Sequence, residues 1–400
     1  MDLIDNPKLD EILKFINQHE QDDPAQLVLK HGSNADLPIQ EIASQIAARQ
    51  KAKNKLPSLY KNKNLLFPPP LSMEQCSSEA TAKYKASLIK GDSLIDLTGG
   101  FGIDSFYLSS SFKQTNYVEQ QTQLYKIAQY NFEQLDVNIV VFNKTAEVYL
   151  ENQTDAVNCI FLDPARRDQK MQRVFQWEDC QPNLIQLLPQ LLKKADLVMV
   201  KAAPMLDIEK ACQELNQHVS AVHIVEWQNE VKELLFLIDD KIYENPLIKV
   251  VQLDDEGNVY QSFEGNKIKE QQNSIRIEQP KHYLYEPSPA LMKSGLFNSL
   301  ADSFDLIKLH QNTNLFTSNT LATDFPGRIY QINHKLAPQK KALSKVLKGG
   351  KANLKTRNFP VAVEALKKKL GIKDGGNQYL FACTLSDNTK ALLLCDKIDS

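Results

Sequence analysis

The sequence predicts an α/β chain built on a Rossmann-like, doubly wound sheet of seven strands, with a helical region before it and small α+β domains after it. Three observations predict this. Strand-like and helix-like segments alternate from Ser93 to about Asp239, the pattern of a parallel sheet covered by helices. Only Gln228 to Lys232 separates the sixth strand from the seventh. A parallel crossover needs about a dozen residues or more, so this last pair must run antiparallel. The first strand also runs straight into Asp96-Leu97-Thr98-Gly99-Gly100-Phe101-Gly102, a glycine cluster in a chain with only 14 glycines.

Ahead of the sheet, Leu9, Ile12, Leu13, Phe15 and Ile16, then Leu37, Ile39, Ile42 and Ile46, recur at helical spacing. Pro57 should stop the second helix, and Pro68-Pro69-Pro70 reads as a stiff boundary or extended arm. The strand candidates are 93–98, 116–120, 138–143, 156–164, 196–203, 220–227 and 233–239, several of them continuous apolar runs suited to burial on both faces. Beyond them, IKVVQLDDEGNVYQSFEG reads as a hairpin turning at Glu256-Gly257-Asn258, and residues 280 to 325 are mixed. From Gly327 follow a strand RIYQIN, a lysine-rich helix, a helix around VAVEALKKKL, and the strands QYLFACTL and KALLLCDKI. The expected divisions are 1–72, 73–245, 246–325 and 326–400.

Composition narrows the function classes. Hydrophobic content of 42% and charged content of 24% are ordinary for a globular protein. The six cysteines are scattered, without a C-x-x-C pair or a histidine at ligand spacing, which argues against a disulfide framework or a metal site. The N-terminus lacks the apolar core of a signal peptide, and no run approaches the about 18 apolar residues of a membrane span. The cytoplasm is the expected compartment.

The loop after the first strand is the strongest local motif. Dinucleotide binding calls for a third glycine in G-x-G-x-x-G, but Gly100-Phe101-Gly102 is followed by Ile103, Asp104 and Ser105. S-adenosylmethionine fits better. Its methionine carboxylate would meet helix N–H groups, while side chains at Gly100 and Gly102 would block close main-chain approach. Asp96 or Asp104 could accept from the ammonium. Thr98 and Gly99 complete the loop, and Glu119, ending the second strand, could grip ribose hydroxyls. Ala146 and Glu147, in Lys144-Thr145-Ala146-Glu147, stand where adenine usually lies; a helix N-cap at Thr145 explains that stretch equally well.

The fourth strand ends in Phe161-Leu162-Asp163-Pro164-Ala165-Arg166-Arg167 and should neighbour the first at the switch point beside the methyl group. Asp163 there could touch the cofactor and orient an acceptor amine, with Pro164 stiffening its turn; a simple capping aspartate is the alternative. Arg166 and Arg167 could hold phosphate or simply form a solvated pair of charges. Amino-methylating enzymes carry an aromatic at the end of this motif, so base stacking would fall to Phe175 or Trp177. A cysteine nucleophile is rejected, because Cys159 lies within the strand and Cys180 well downstream. The segment 74–82 could fold over the cofactor or serve as a linker helix.

Residues 335 to 373 hold twelve Lys and Arg against one acid, Glu364, in a chain of net charge −2. That asymmetry fits a domain meeting nucleic-acid phosphates or a merely solvated basic face. Lys348 and Lys351 flank a Gly-Gly turn, and Lys355 and Arg357 follow; all four are expected on loops as substrate ligands.

With these residues in hand, the chain resembles a bacterial family of class I methyltransferases with a THUMP-like C-terminal domain. The matching pieces are KAKNKLP, LSMEQCSSEATAKYKASL, DLTGGFGID, FLDPARR, VKAAPMLDI, YEPSPALMKSG and KANLKTRNFPVAVEALKKKLGIKDGG, in order across almost the whole chain. The resemblance implies a class I core, a ferredoxin-like segment and the THUMP-like end, with S-adenosylmethionine as cofactor. Since THUMP domains recognise RNA, it also implies methylation of an RNA base, in tRNA or rRNA. An RNA-binding module that has lost turnover, or an enzyme acting on a protein or small molecule, are the alternatives.

Overall fold

The computed structural model describes residues 3–32, 36–166 and 177–398. The chain divides into two compact units, 1–244 with 252–260, and 245–251 with 261–400. The crossing falls inside the hairpin of β10 and β11, introduced below.

The first unit opens with helices α1 (Leu9–Gln18), α2 (Pro24–His31), α3 (Ile39–Lys55) and α4 (Pro57–Lys61). Ile12, Leu13, Ile16, Ile42 and Ile46 meet in one core, as their helical spacing requires. Arg49 of α3 is buried, and its guanidinium donates to the carbonyls of Leu65, Tyr60 and Asn62. That pins the extended segment that leads to the prolines. Pro70 then serves as the first residue of α5 (Pro70–Gln75), a helix start that needs no amide donor. Ser78 caps α6 (Glu79–Leu88) by accepting from Thr81 N.

The sheet carries β1 (Gly91–Asp96), β2 (Phe112–Val118), β3 (Ile139–Phe142) and β4 (Val157–Leu162). Between them run α7 (Ile103–Ser109), α8 (Thr122–Gln134) and α9 (Ala146–Asn152). A two-residue ladder follows, β5 (Ala165–Arg166) antiparallel to β6 (Cys180–Gln181). Then come α10 (Leu184–Lys194), β7 (Ala195–Ala202), α11 (Ile208–Glu214), β8 (Val219–Trp227) and β9 (Glu230–Ile238). The order is β3-β2-β1-β4-β7-β9-β8, parallel from β3 through β7. β9 inserts between β7 and β8, antiparallel to both. The short connection thus makes the expected hairpin, and its second strand rather than its first joins the parallel block. The chain leaves β1 toward one edge of the sheet and β4 toward the other, which opens a crevice at their C-terminal ends.

β10 (Leu247–Leu253) and β11 (Val259–Gly265) turn through Gly257 at φ 88°. The second unit continues with α12 (Lys267–Gln272), β12 (Tyr283–Pro287), α13 (Pro289–Ser294), α14 (Phe297–Ser303), β13 (Ile307–His310), β14 (Thr313–Ser318) and β15 (Gly327–Leu336). It ends with α15 (Lys340–Leu343), β16 (Asn353–Arg357), α16 (Val363–Leu370), β17 (Gln378–Thr384) and β18 (Lys390–Ile398). One sheet gathers these strands in the order β13-β14-β12-β15-β18-β17-β16. Two expectations need correction. The lysine-rich helix is a single turn, α15, because Lys-Gly-Gly at 348–350 breaks the run. Lys355 and Arg357 stand on a strand and not a loop, since β16 adds parallel to β17 with Leu354 facing the core.

Candidate active site

The crevice holds a cavity of about 200 Å³. Asp96, Thr98, Gly99, Gly100, Gly102, Asp104, Glu119, Ala146, Glu147 and Asp163 all line it, so the expected cofactor residues from four loops come together. Each glycine is there for its own reason. A Cβ on Gly99 would lie 2.1 Å from the Tyr117 ring, and one on Gly102 would lie 2.7 Å from Phe132 Cζ at φ 88°. Those two meet packing requirements, and Gly102 lines the cavity as well. Gly100 is different. It sits at φ 55°, and its Cβ would meet only Thr98 O, at 3.8 Å, so the space over its Cα is open.

The loop is held from both ends. Glu119 accepts from Gly100 N at 2.8 Å and Gln121 N at 2.7 Å, while Tyr117 donates to Gly100 O at 2.6 Å. Asp96 accepts from Thr98 N and from the Ser105 hydroxyl. Burial pushes its carboxyl up to about 7 against those two bonds, with Asp104 and Asp163 adding to the rise. Thr145 caps α9 by accepting from Val148 N, and Ala146 and Glu147 behind it line the cavity. The cap and the lining coexist.

Asp163 follows β4, and its N–H donates to Thr98 Oγ1 at 2.6 Å, tying the fourth strand to the loop after the first. Its Oδ2 lies 2.5 Å from Lys201 Nζ, yet its side chain stays 37% exposed. Lys201 also donates to Ser77 Oγ at 3.2 Å and sits 3.7 Å from Asp104. Behind it, Lys85 Nζ donates to Glu233 at 2.5 Å and Ser77 at 3.2 Å, and pairs with Asp104 at 3.2 Å. Burial alone would lower the Lys201 ammonium, but Asp163, Asp104 and Glu233 outweigh it and raise it. Burial would likewise raise Asp104; Lys85 and Lys201 overcome that and hold it low. Burial lifts Glu233 despite Lys85.

Sequence reasoning missed Ser77, Lys85, Lys201 and Glu233. The signal was there: charged residues inside otherwise apolar strand and helix runs, Lys201 in MVKAA and Glu233 in KELLFL. A charge that must be buried needs a buried partner.

Other expected residues fall elsewhere. Pro164 is buried but does not line the cavity, and Arg166 pairs by its backbone with Cys180. Phe175 and Arg167 lie outside the described residues. Trp177 cannot stack on a base, for it is fully buried against Phe236 and donates to Ala211 O. Cys159 and Cys180 are buried, and burial pushes the Cys159 thiol up to about 12. Cys76 lines the cavity, but burial raises its thiol too, so neither is a ready nucleophile.

In the second unit, Lys348 lies in the turn before Lys351, which is exposed. Lys355 and Arg357 are turned to Glu286, at 2.5 and 2.9 Å. Tyr330 donates to the same carboxylate at 3.0 Å.

A family model described as a ferredoxin-like domain matches residues 283–326, and one described as THUMP domain-like matches 327–397. Among solved structures, the chain is similar to a candidate methyltransferase from Porphyromonas gingivalis W83. Identity is 31% over 97% of this chain and 98% of that one, with a TM-score of 0.86. A candidate methyltransferase from Streptococcus mutans, in complex with SAH, matches at 15% identity over 40% of this chain and 95% of that one, TM-score 0.30. A candidate class I S-adenosylmethionine-dependent methyltransferase from Listeria monocytogenes matches at 10% identity over 63% and 95%, TM-score 0.37. No curated protein matches the sequence.

Proposed function

Because this chain belongs to the family of the Porphyromonas gingivalis protein, class I methyltransferases with a THUMP-like C-terminal domain, we propose that it methylates RNA with S-adenosylmethionine. The observation that carries this reading is the joining, by Asp163 N–H to Thr98 Oγ1, of the glycine loop and the Asp163–Lys201 pair around one cavity. The cofactor supplies a methyl group on a positively charged sulfur. The lining fits it: Gly100 offers open main chain, Glu119 stands at the end of β2 where ribose hydroxyls are gripped, and Ala146 and Glu147 flank the adenine position. Asp96 lines the cavity and orders the loop through Thr98 N and the Ser105 hydroxyl. Asp163 faces the acceptor, on the exposed side of the pair.

RNA as substrate is supported by the THUMP-like match and by exposed Lys351, Lys368, Lys369 and Lys373. Phosphate contacts of this kind position a substrate without reading its sequence. One observation favours a protein or small molecule instead. Lys355 and Arg357, the basic pair best placed by sequence, already hold Glu286.

The test is calorimetric titration with S-adenosylmethionine, followed by labelled methyl transfer to RNA from cells lacking the gene. Saturable binding and RNA labelling that Asp163→Ala reduces by roughly 10²-fold or more are expected. Binding of NAD in place of S-adenosylmethionine would sink the cofactor assignment. Labelling of protein but not RNA would sink the substrate.

A further inference from the structure

Lys85 of α6, Asp163 after β4, Lys201 of β7 and Glu233 of β9 converge from four elements, with Asp163 and Lys201 on the cavity wall and Lys85 and Glu233 behind them. Two ammoniums buried to this degree are costly unless they serve the site or are held by carboxylates. Lys85 is held deep, fully buried between Glu233 and Asp104. Lys201 is not so enclosed; it reaches the cavity wall with Asp163 beside it, and only Oδ2 of that carboxylate lies against it.

The acceptor therefore meets an N–H donor and a carboxylate acceptor side by side. An exocyclic base amine suits this poorly. It offers N–H donors and a delocalised lone pair, so its hydrogens would face those of Lys201. A hydroxyl suits it well, donating to Asp163 while accepting from Lys201.

We propose that the acceptor is a hydroxyl, the 2′-oxygen of a ribose in RNA, held between Asp163 and Lys201. This rests on the reading of the chain as an RNA methyltransferase. The hydroxyl oxygen uses a lone pair to form the new O–CH3 bond while the C–S bond breaks and its electrons stay on sulfur. The hydroxyl proton passes to Asp163 and from its exposed edge to water. Lys201 aligns the lone pair. Lys85 and Glu233 are positioning residues that fix Lys201 through Ser77 and Asp104.

Labelled methyl groups are transferred to RNA from the deletion strain, and the product is hydrolysed in alkali. A 2′-O-methyl group blocks cleavage of its own linkage, so label is expected in alkali-resistant dinucleotides. Label in mononucleotides would place the methyl on a base and overturn the proposal while leaving RNA methylation intact. No label in RNA at all would overturn both. Lys201→Met is expected to lose roughly 10³-fold in kcat with the Kd for S-adenosylmethionine changed less than about threefold. Equal losses in both would make Lys201 structural and overturn its role. Should that variant fold poorly, Asp163→Asn tests the same pair. Glu233→Gln should lower kcat about tenfold and leave KM for RNA in place; a change in KM alone would overturn its positioning role.

Discussion

Each unit of this chain surrounds a buried carboxylate with cations, to opposite ends. In the first, Asp104 and Glu233 hold Lys85 and steady Lys201, which reaches a cavity beside the half-exposed Asp163. In the second, Glu286, 6% exposed, draws Lys355, Arg357 and the more distant Arg328 inward, together with the Tyr330 hydroxyl. One network reaches a cavity wall. The other is turned inward on Glu286. The residue types are nearly the same, so the direction in which the carboxylate lies decides the outcome.

The largest expected effect separates the two networks by stability. Lys85→Met strands Glu233 and Asp104 with one ammonium between them, in a place where neither can turn to water. Breaking a buried pair in this way costs about 3–5 kcal/mol. Glu286→Gln should cost roughly 1–2 kcal/mol, because Lys355 and Arg357 are 22% and 35% exposed and can turn outward. Urea unfolding of both variants checks the order. Equal losses would mean that the networks are energetically alike and the contrast fails.

The same contrast sets the limit on what the sequence could reveal. The seven strands, their alternation and the antiparallel pair were legible, because continuous apolar runs and a five-residue gap are local facts. So was the glycine loop that follows β1 and lines the cavity. The cluster around Lys201 was not, since Ser77 lies 124 positions from Lys201 and Lys85 lies 148 from Glu233. Only the topology brings them together. The pairing of Lys355 and Arg357 with Glu286 was hidden for the matching reason. Clustered lysines in sequence look solvated, and nothing local says that Glu286, some 70 positions earlier, neutralises them.

A smaller effect tests the loop behind the first network. Asp96 is buried, and its carboxyl stands near 7 in the folded chain against 3.8 when free. Between those values the folded state holds more protons than the unfolded one, so this residue makes stability fall as pH rises from about 4 to about 7, then level off. Asp96→Asn removes the titration while keeping groups that can bond Thr98 N and Ser105. The variant should match wild type near pH 4 and exceed it by about 1–3 kcal/mol at pH 8. Denaturation curves at pH 4, 6 and 8 measure this. Parallel pH profiles for the two proteins would show that the fold does not raise the Asp96 carboxyl.

The smallest effect concerns the second network, and it asks whether an ion pair inside a unit can also serve RNA. A phosphate binding Lys355 must displace a 2.5 Å contact and leave Glu286 buried without that partner, a cost that Lys368, Lys369 and Lys373 on the exposed face do not bear. Each phosphate neutralised on single-stranded RNA adds about 0.7 to the slope of log affinity against log salt. Replacing those three lysines by glutamine should therefore lower the slope by about 2, if each meets one phosphate. Lys355→Gln should lower it by less than about 0.3 and shift affinity less than about twofold. Filter binding of bulk RNA across salt concentrations gives both numbers. A full phosphate's loss on Lys355→Gln would mean that RNA outcompetes Glu286, turning the inward network into a site that opens on binding.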